Sequence, residues 1–125
     1  IPRIIDGTCD MEFYYLTDEP NSQTESNKWG IAEPKTELEK CVMDDLLPDL
    51  RGDEILVLVP GLAFGKDNSR LGRGKGFYDR FLSELKKKTA AQGKERPWIC
   101  GICYSAQIVE SVPVDENDVR MDVVL

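Results

Sequence analysis

The sequence predicts an α/β fold, and three observations carry that prediction. Ile55-Leu56-Val57-Leu58-Val59 is an unbroken aliphatic run, bounded by charge before it and by Pro60-Gly61 after it. Such a run fits a central strand of a parallel sheet, covered on both faces. The segment from Gly76 to about Gln92 then reads as a helix, because Phe77, Phe81, Leu82 and Leu85 fall on one apolar stripe. Trp98 to Tyr104 is a second apolar run. Strand, helix, strand is the βαβ pattern of an α/β sheet. The chain has 125 residues and is 41% hydrophobic, which suits one domain, 1–125, and argues against disorder.

The remaining elements follow in chain order. Met11 to Leu16 is aromatic-rich with partial alternation, so it is expected to be a strand. Asn21 to Lys28 is polar and rich in Ser and Asn, and is read as a loop. Thr36-Glu37-Leu38-Glu39 is placed to cap a short helix toward Leu46, which Pro48 limits. Lys86, Lys87 and Lys88 suit the C-terminal end of the main helix, and Gly93 suits its cap. Arg120 to Leu125 is expected to supply a further strand.

Composition excludes several functions. The chain has no histidine, which removes Ser-His-Asp triads, Cys-His pairs and His-ligated zinc sites. The net charge of −7 argues against general nucleic-acid binding and against an anionic membrane surface. No apolar run approaches the roughly 20 residues of a membrane span. No secretory signal is visible. Cys100 and Cys103 form a Cys-x-x-Cys within a strand pattern, where residues three apart point to opposite faces. With Cys9 and Cys41, they are expected to be ordinary thiols in a reducing cytosol, with a mitochondrial location as the alternative. The chain starts without methionine and ends in a strand-like Val123-Val124-Leu125, so it is expected to be cut from something longer.

The chemistry is expected in the loop between the main strand and the main helix. Arg70-Leu71-Gly72-Arg73-Gly74-Lys75-Gly76 alternates glycine with cations and ends at a helix N-terminus. Glycines let backbone approach a ligand closely, cations supply charge, and helix-start amides attract anions. Residues 65–80 carry five cations and two acids, a net +3, against −10 in the remaining chain. A polyphosphate is the ligand class this pattern favours; a solvated basic loop is the alternative. Walker A, dinucleotide and kinase glycine patterns do not fit. A second constellation is Asp115-Glu116-Asn117-Asp118 with Asp122. Asp118, with Asp79 in the first helical turn, could hold Mg²⁺ beside phosphates, although an acid in a first turn is also ordinary helix stabilisation.

These residues resemble a known family. Val59-Pro-Gly-Leu-Ala-Phe64 followed by Arg70-Leu-Gly-Arg-Gly-Lys-Gly-Phe-Tyr-Asp-Arg-Phe-Leu82 resembles the 5-formyltetrahydrofolate cyclo-ligases, also called methenyltetrahydrofolate synthetases. Trp29-Gly-Ile-Ala-Glu-Pro34, Gln107 and Val112-Pro-Val-Asp-Glu-Asn-Asp118 resemble further segments of the family, the last in its eukaryotic form. The resemblance implies a Rossmann-like three-layer sandwich around a mainly parallel sheet. It implies ATP- and Mg²⁺-dependent cyclisation of 5-formyltetrahydrofolate to 5,10-methenyltetrahydrofolate, releasing ADP and phosphate. It places Arg70, Leu71, Gly72, Arg73, Gly74, Lys75, Gly76, Phe77 and Tyr78 around ATP; phosphoryl transfer needs charge neutralisation more than a protein nucleophile, which makes Arg73 and Lys75 the expected catalytic cations. It places Trp29, Arg73, Gly74, Lys75, Gly76 and Phe77 near the folate, and Asp79 and Asp118 at the metal. Phe77 stands where many members carry Tyr, which removes any hydroxyl contact there. The family's N-terminal portion is absent from the resemblance, so this chain alone is expected to turn over weakly or not at all. The full-length form is expected to be a monomer. A catalytically incomplete folate- or nucleotide-binding relative is the alternative function, and an RNA-contacting module is a third, disfavoured by the −10 remainder.

Overall fold

A computed structural model describes residues 1–17 and 19–125. Its contacts gather into two compact units, Ile1–Pro48 and Asp49–Leu125.

The first unit is built from short hairpins. Strands β1 (Pro2–Ile4) and β2 (Met11–Phe13) pair antiparallel. The predicted strand over Met11–Leu16 therefore stops early, with Tyr14 continuing only as a single bridge to Lys40. Tyr14 is buried and donates its hydroxyl to Glu12 Oε2 at 2.9 Å, so a polar tip is satisfied inside an apolar setting. Helix α1 (Pro20–Gln23) leads into β3 (Thr24–Ser26), which pairs antiparallel with β4 (Ala32–Pro34). The predicted loop over Asn21–Lys28 is thus mostly regular structure. Pro20 stands at the helix start, where its missing N–H costs nothing. The Asn27–Gly30 turn closes the hairpin: Asn27 Oδ1 accepts from the N–H groups of Trp29 and Ile31. The expected cap at Thr36 is also corrected. The only helical turn there, α2 (Met43–Leu46), begins after Val42.

The second unit carries the βαβ motif. β5 (Leu56–Pro60), helix α3 (Phe77–Ala91) and β8 (Trp98–Ile102) occur in that chain order, and β5 pairs parallel with β8 from Leu56↔Trp98 to Pro60↔Ile102. β10 (Val123–Val124) pairs parallel with the other edge of β8. The fold class is α/β, as the sequence predicts. One detail differs: β8 takes the middle place and β5 an edge. Val59 and Ile99 are fully buried against Leu82 of α3, whereas Leu56 and Leu58 on the opposite face are 61% and 52% exposed. The aliphatic run is therefore covered on one face among the described residues.

A second small sheet lies inside what the sequence presents as one long loop. β6 (Ala63–Gly65) pairs antiparallel with β7 (Arg70–Leu71) and parallel with β9 (Ile108–Val109). Its Phe64 is fully buried in the core with Val59, Leu82, Ile99 and Met121. Gly101 of β8 is needed for this: a Cβ there would stand 2.5 Å from the Phe64 ring. The turn between β6 and β7 is held by Asp67, which accepts hydrogen bonds from the Ser69 N–H and hydroxyl. Arg120 Nη1 reaches the same carboxylate at 2.6 Å.

Candidate functional site

The β6–β7 hairpin delivers Arg70 to the start of α3. Its guanidinium is nearly buried, with the side chain 6% exposed, and Nη2 lies 2.8 Å from Asp79 Oδ2. It stacks 5.6 Å from the centre of the Tyr78 ring. Asp79 Oδ1 accepts from the Val119 N–H at 3.0 Å, which ties the segment beside Asp118 to the first turn of the helix. Arg70, Tyr78, Asp79 and Val119 thus form one interlocked cluster. Burial pushes the Tyr78 phenol up, only partly opposed by Arg70, so the ring stays neutral.

The next residues are the reverse. Arg73, Gly74, Lys75 and Gly76 are exposed. Among the described residues, Arg73 and Lys75 enter no hydrogen bond or ion pair. Gly74 and Gly76 have φ of +81° and +69°, in the left-handed region that favours glycine. Gly76 is the N-cap of α3 and offers no side chain to its free amides. A helix start without a side-chain cap leaves N–H groups for solvent or an anion. The two free cations therefore flank donors that have no protein partner from a capping side chain, while Arg70 serves the scaffold.

Asp118 is half-buried and accepts the Asp115 N–H at 2.8 Å; Asn117 N–H closes on Asp115 Oδ1 at 2.8 Å. Asp79 and Asp118 are oxygen donors of the kind a hard divalent cation takes. Among the described residues, no group of three or more His, Cys, Asp or Glu is placed to hold an ion. Asp79 Oδ2 already meets Arg70 and Oδ1 the Val119 N–H, which leaves each oxygen one further lone pair.

Trp29 belongs to the first unit, at the β3–β4 turn. Lys28 Nζ lies 4.5 Å from the centre of its ring. Trp29 lines a cavity of about 390 Å³ with Arg3, Glu12, Asn27, Lys28 and Glu33 among its walls. Glu33 is buried and accepts the Ile4 N–H at 3.2 Å. The sequence reading named Trp29 and missed this pocket, because Arg3, Glu12 and Glu33 are brought together only by the two hairpins. Gln107, named from the sequence without a role, donates from Nε2 to the carbonyls of Gly61 and Leu62, fixing the turn after β5.

Fold and site together define an α/β protein in which a cationic glycine loop runs onto the bare N-terminus of the helix between two parallel strands. The 5-formyltetrahydrofolate cyclo-ligase family matches residues 1–125, and the chain belongs to that family. Similar proteins include one from Schizosaccharomyces pombe named a probable 5-formyltetrahydrofolate cyclo-ligase, 40% identical over 98% of this chain and 57% of that relative. A mouse protein named 5-formyltetrahydrofolate cyclo-ligase is 34% identical over 100% of this chain and 58% of its own length. A solved structure of a 5,10-methenyltetrahydrofolate synthetase from Mycoplasma pneumoniae matches with a TM-score of 0.54 and 27% identity, over 98% of this chain and 52% of that one. The chain spans little more than half the length of these relatives.

Proposed function

We propose that this chain carries the phosphate-binding part of an ATP- and Mg²⁺-dependent 5-formyltetrahydrofolate cyclo-ligase. The observation that carries the reading is the division of labour among the loop cations. Arg70 is committed to Asp79, whereas Arg73 and Lys75 stand free beside an uncapped helix start. Membership of the family supplies the substrate class.

The chemistry follows from what the substrate lacks. A formyl oxygen is a poor leaving group. Its attack on the γ-phosphorus of ATP forms an O–P bond, breaks the bond to ADP, and leaves the carbon as an imidate phosphate. The neighbouring amine nitrogen then attacks that carbon, phosphate departs with the former formyl oxygen, and the amine proton passes to solvent. Such a transfer needs positioning and charge neutralisation more than a protein nucleophile. Arg73 and Lys75 hold the phosphate oxygens, and the amides that follow Gly76 add fixed dipoles. Asp79 and Asp118 would hold Mg²⁺, which when bound neutralises phosphate charge. Trp29, Gly74, Gly76 and Phe77 are assigned to the folate, and Leu71, Gly72 and Tyr78 to the nucleotide.

The test has two arms. Calorimetric titration of the chain with Mg·ATP should give binding that Lys75→Ala weakens at least tenfold. Absorbance of the methenyl product, with ATP, Mg²⁺ and 5-formyltetrahydrofolate present, reads turnover. Mg·ATP binding without turnover is what a catalytically incomplete binder gives. Equal Mg·ATP affinity for wild type, Lys75→Ala and Asp118→Ala would sink the site assignment.

A further inference from the structure

Gln107 ties together two parts of the second unit that are far apart in the chain. A glutamine amide has two N–H donors. Both are spent here: Nε2 donates to the Gly61 carbonyl at 2.8 Å and to the Leu62 carbonyl at 3.2 Å. Oε1 accepts the Tyr104 N–H at 2.8 Å, which fixes the orientation of the amide. The turn so gripped is tight. A Cβ on Gly61 would stand 2.8 Å from the Phe64 ring and 3.1 Å from Arg70 Cγ. The grip passes onward to β7. The Leu62 N–H donates to the Leu71 carbonyl at 2.8 Å, and Arg70 Nη1 reaches the Pro60 carbonyl at 3.4 Å. β9 begins directly after Gln107 and pairs with β6 on the side away from β7.

We propose that Gln107 is a positioning residue for the phosphate-binding cations, acting through Leu62 and Leu71; this rests on the reading of Gly72–Gly76 as a polyphosphate loop. Leu71 is the last residue of β7 and Phe77 the first of α3. The segment Gly72–Gly76 is therefore strung between two anchors. Arg73 and Lys75 are exposed and enter no hydrogen bond or ion pair among the described residues, so the anchors set where they reach from. The helix anchor is held by Asp79, through Arg70 and the Val119 N–H. The strand anchor is held by Leu62, whose turn Gln107 braces from more than 40 positions away. A cation already in place meets a phosphate without the ordering cost that a drifting one adds. Loss of the brace lets Leu71 drift, and both cations with it.

Gln107→Met keeps the side-chain length and removes every hydrogen bond of the amide; it is expected to fold, because Gln107 is half-buried and outside the core cluster. Calorimetric titration with inorganic triphosphate, well below the melting temperature, should show the affinity falling about fivefold or more against wild type. Gln107→Glu, which turns a carboxylate on the two carbonyls, should lose at least as much. In a Lys75→Ala background the further loss from Gln107→Met should shrink, because part of what the brace positions is gone. In amide exchange followed by NMR, Gln107→Met should speed the Leu62 amide more than that of Leu82 in α3, as a local opening does. Triphosphate affinity equal in wild type and both Gln107 variants overturns the proposal and leaves the loop reading standing. So does an equal loss in the two backgrounds, or a Leu62 amide that quickens no more than Leu82, since either makes Gln107 a residue of general stability. A wild type that binds no triphosphate overturns the loop reading, and the role of Gln107 with it.

Discussion

Arg70 and Arg73 look alike in the sequence, and only geometry separates them. Both sit in the same alternation of glycine and cation, but Arg70 is the one turned inward by the β6–β7 pairing to meet Asp79, nine residues on. A partner at that distance has no helical or strand period to announce it, so the sequence reading gave both residues to the phosphates. Asp67 is a second case. The sequence counted it only as a charge, yet it organises the hairpin turn. Hydrogen bonds from Ser69, then the ion pair with Arg120, hold its carboxyl down at about 2. A lowered folded-state value contributes stability that is complete above the ordinary carboxylate range and lost as pH falls through the folded value. Urea midpoints measured between pH 5 and pH 2 should therefore fall toward acid, with the Asp67 contribution confined to the interval between about pH 4 and pH 2. Asp67→Asn should flatten the slope in that interval. An unchanged slope would show that the carboxylate titrates normally and that the turn does not depend on its charge.

At the level of elements, α3 was legible because its signals agree. Leu82 and Leu85 of the apolar stripe are buried, and Gly93 follows the end with φ +66°. Thr89 is buried too although it is polar; its hydroxyl donates to the Leu85 carbonyl, which removes the cost of hiding it. β6, β7 and β9 were not legible. Each has two or three residues, too short for a period to register, and β9 pairs across more than 40 positions of chain. The same holds for β3 and β4, whose pairing rests on the Asn27 turn rather than on alternation. The start of α3 carries its own prediction. At Gly76 a Cβ meets nothing within 4 Å, so an alanine there suffers only the left-handed backbone. Gly76→Ala should cost about 1 kcal/mol of stability, measured by urea unfolding. A loss near zero would mean the loop re-forms without that conformation.

Across the whole molecule, charge is the property that joins the sequence to the site. A net +3 over residues 65–80 sits in a chain that is otherwise −10. At about 0.1 M ionic strength the screening length is near 10 Å, so remote acids are largely screened while an anion at the loop still meets Arg73 and Lys75 directly. The loop should accordingly bind polyphosphate at ordinary salt despite the acidic total. A ligand that binds only the folded chain stabilises it by about 2.7 kcal/mol at a hundred times its dissociation constant. Inorganic triphosphate should therefore raise the melting temperature in scanning calorimetry, relative to sodium chloride at matched ionic strength. Arg73→Ala and Lys75→Ala should each remove most of that rise while leaving the ligand-free melt in place, because neither side chain has a partner to lose. Asp118→Ala should keep the rise in the absence of divalent cations, since its proposed role needs the metal. An equal rise in all four proteins would place the anion elsewhere, and with it the chemistry assigned to this loop.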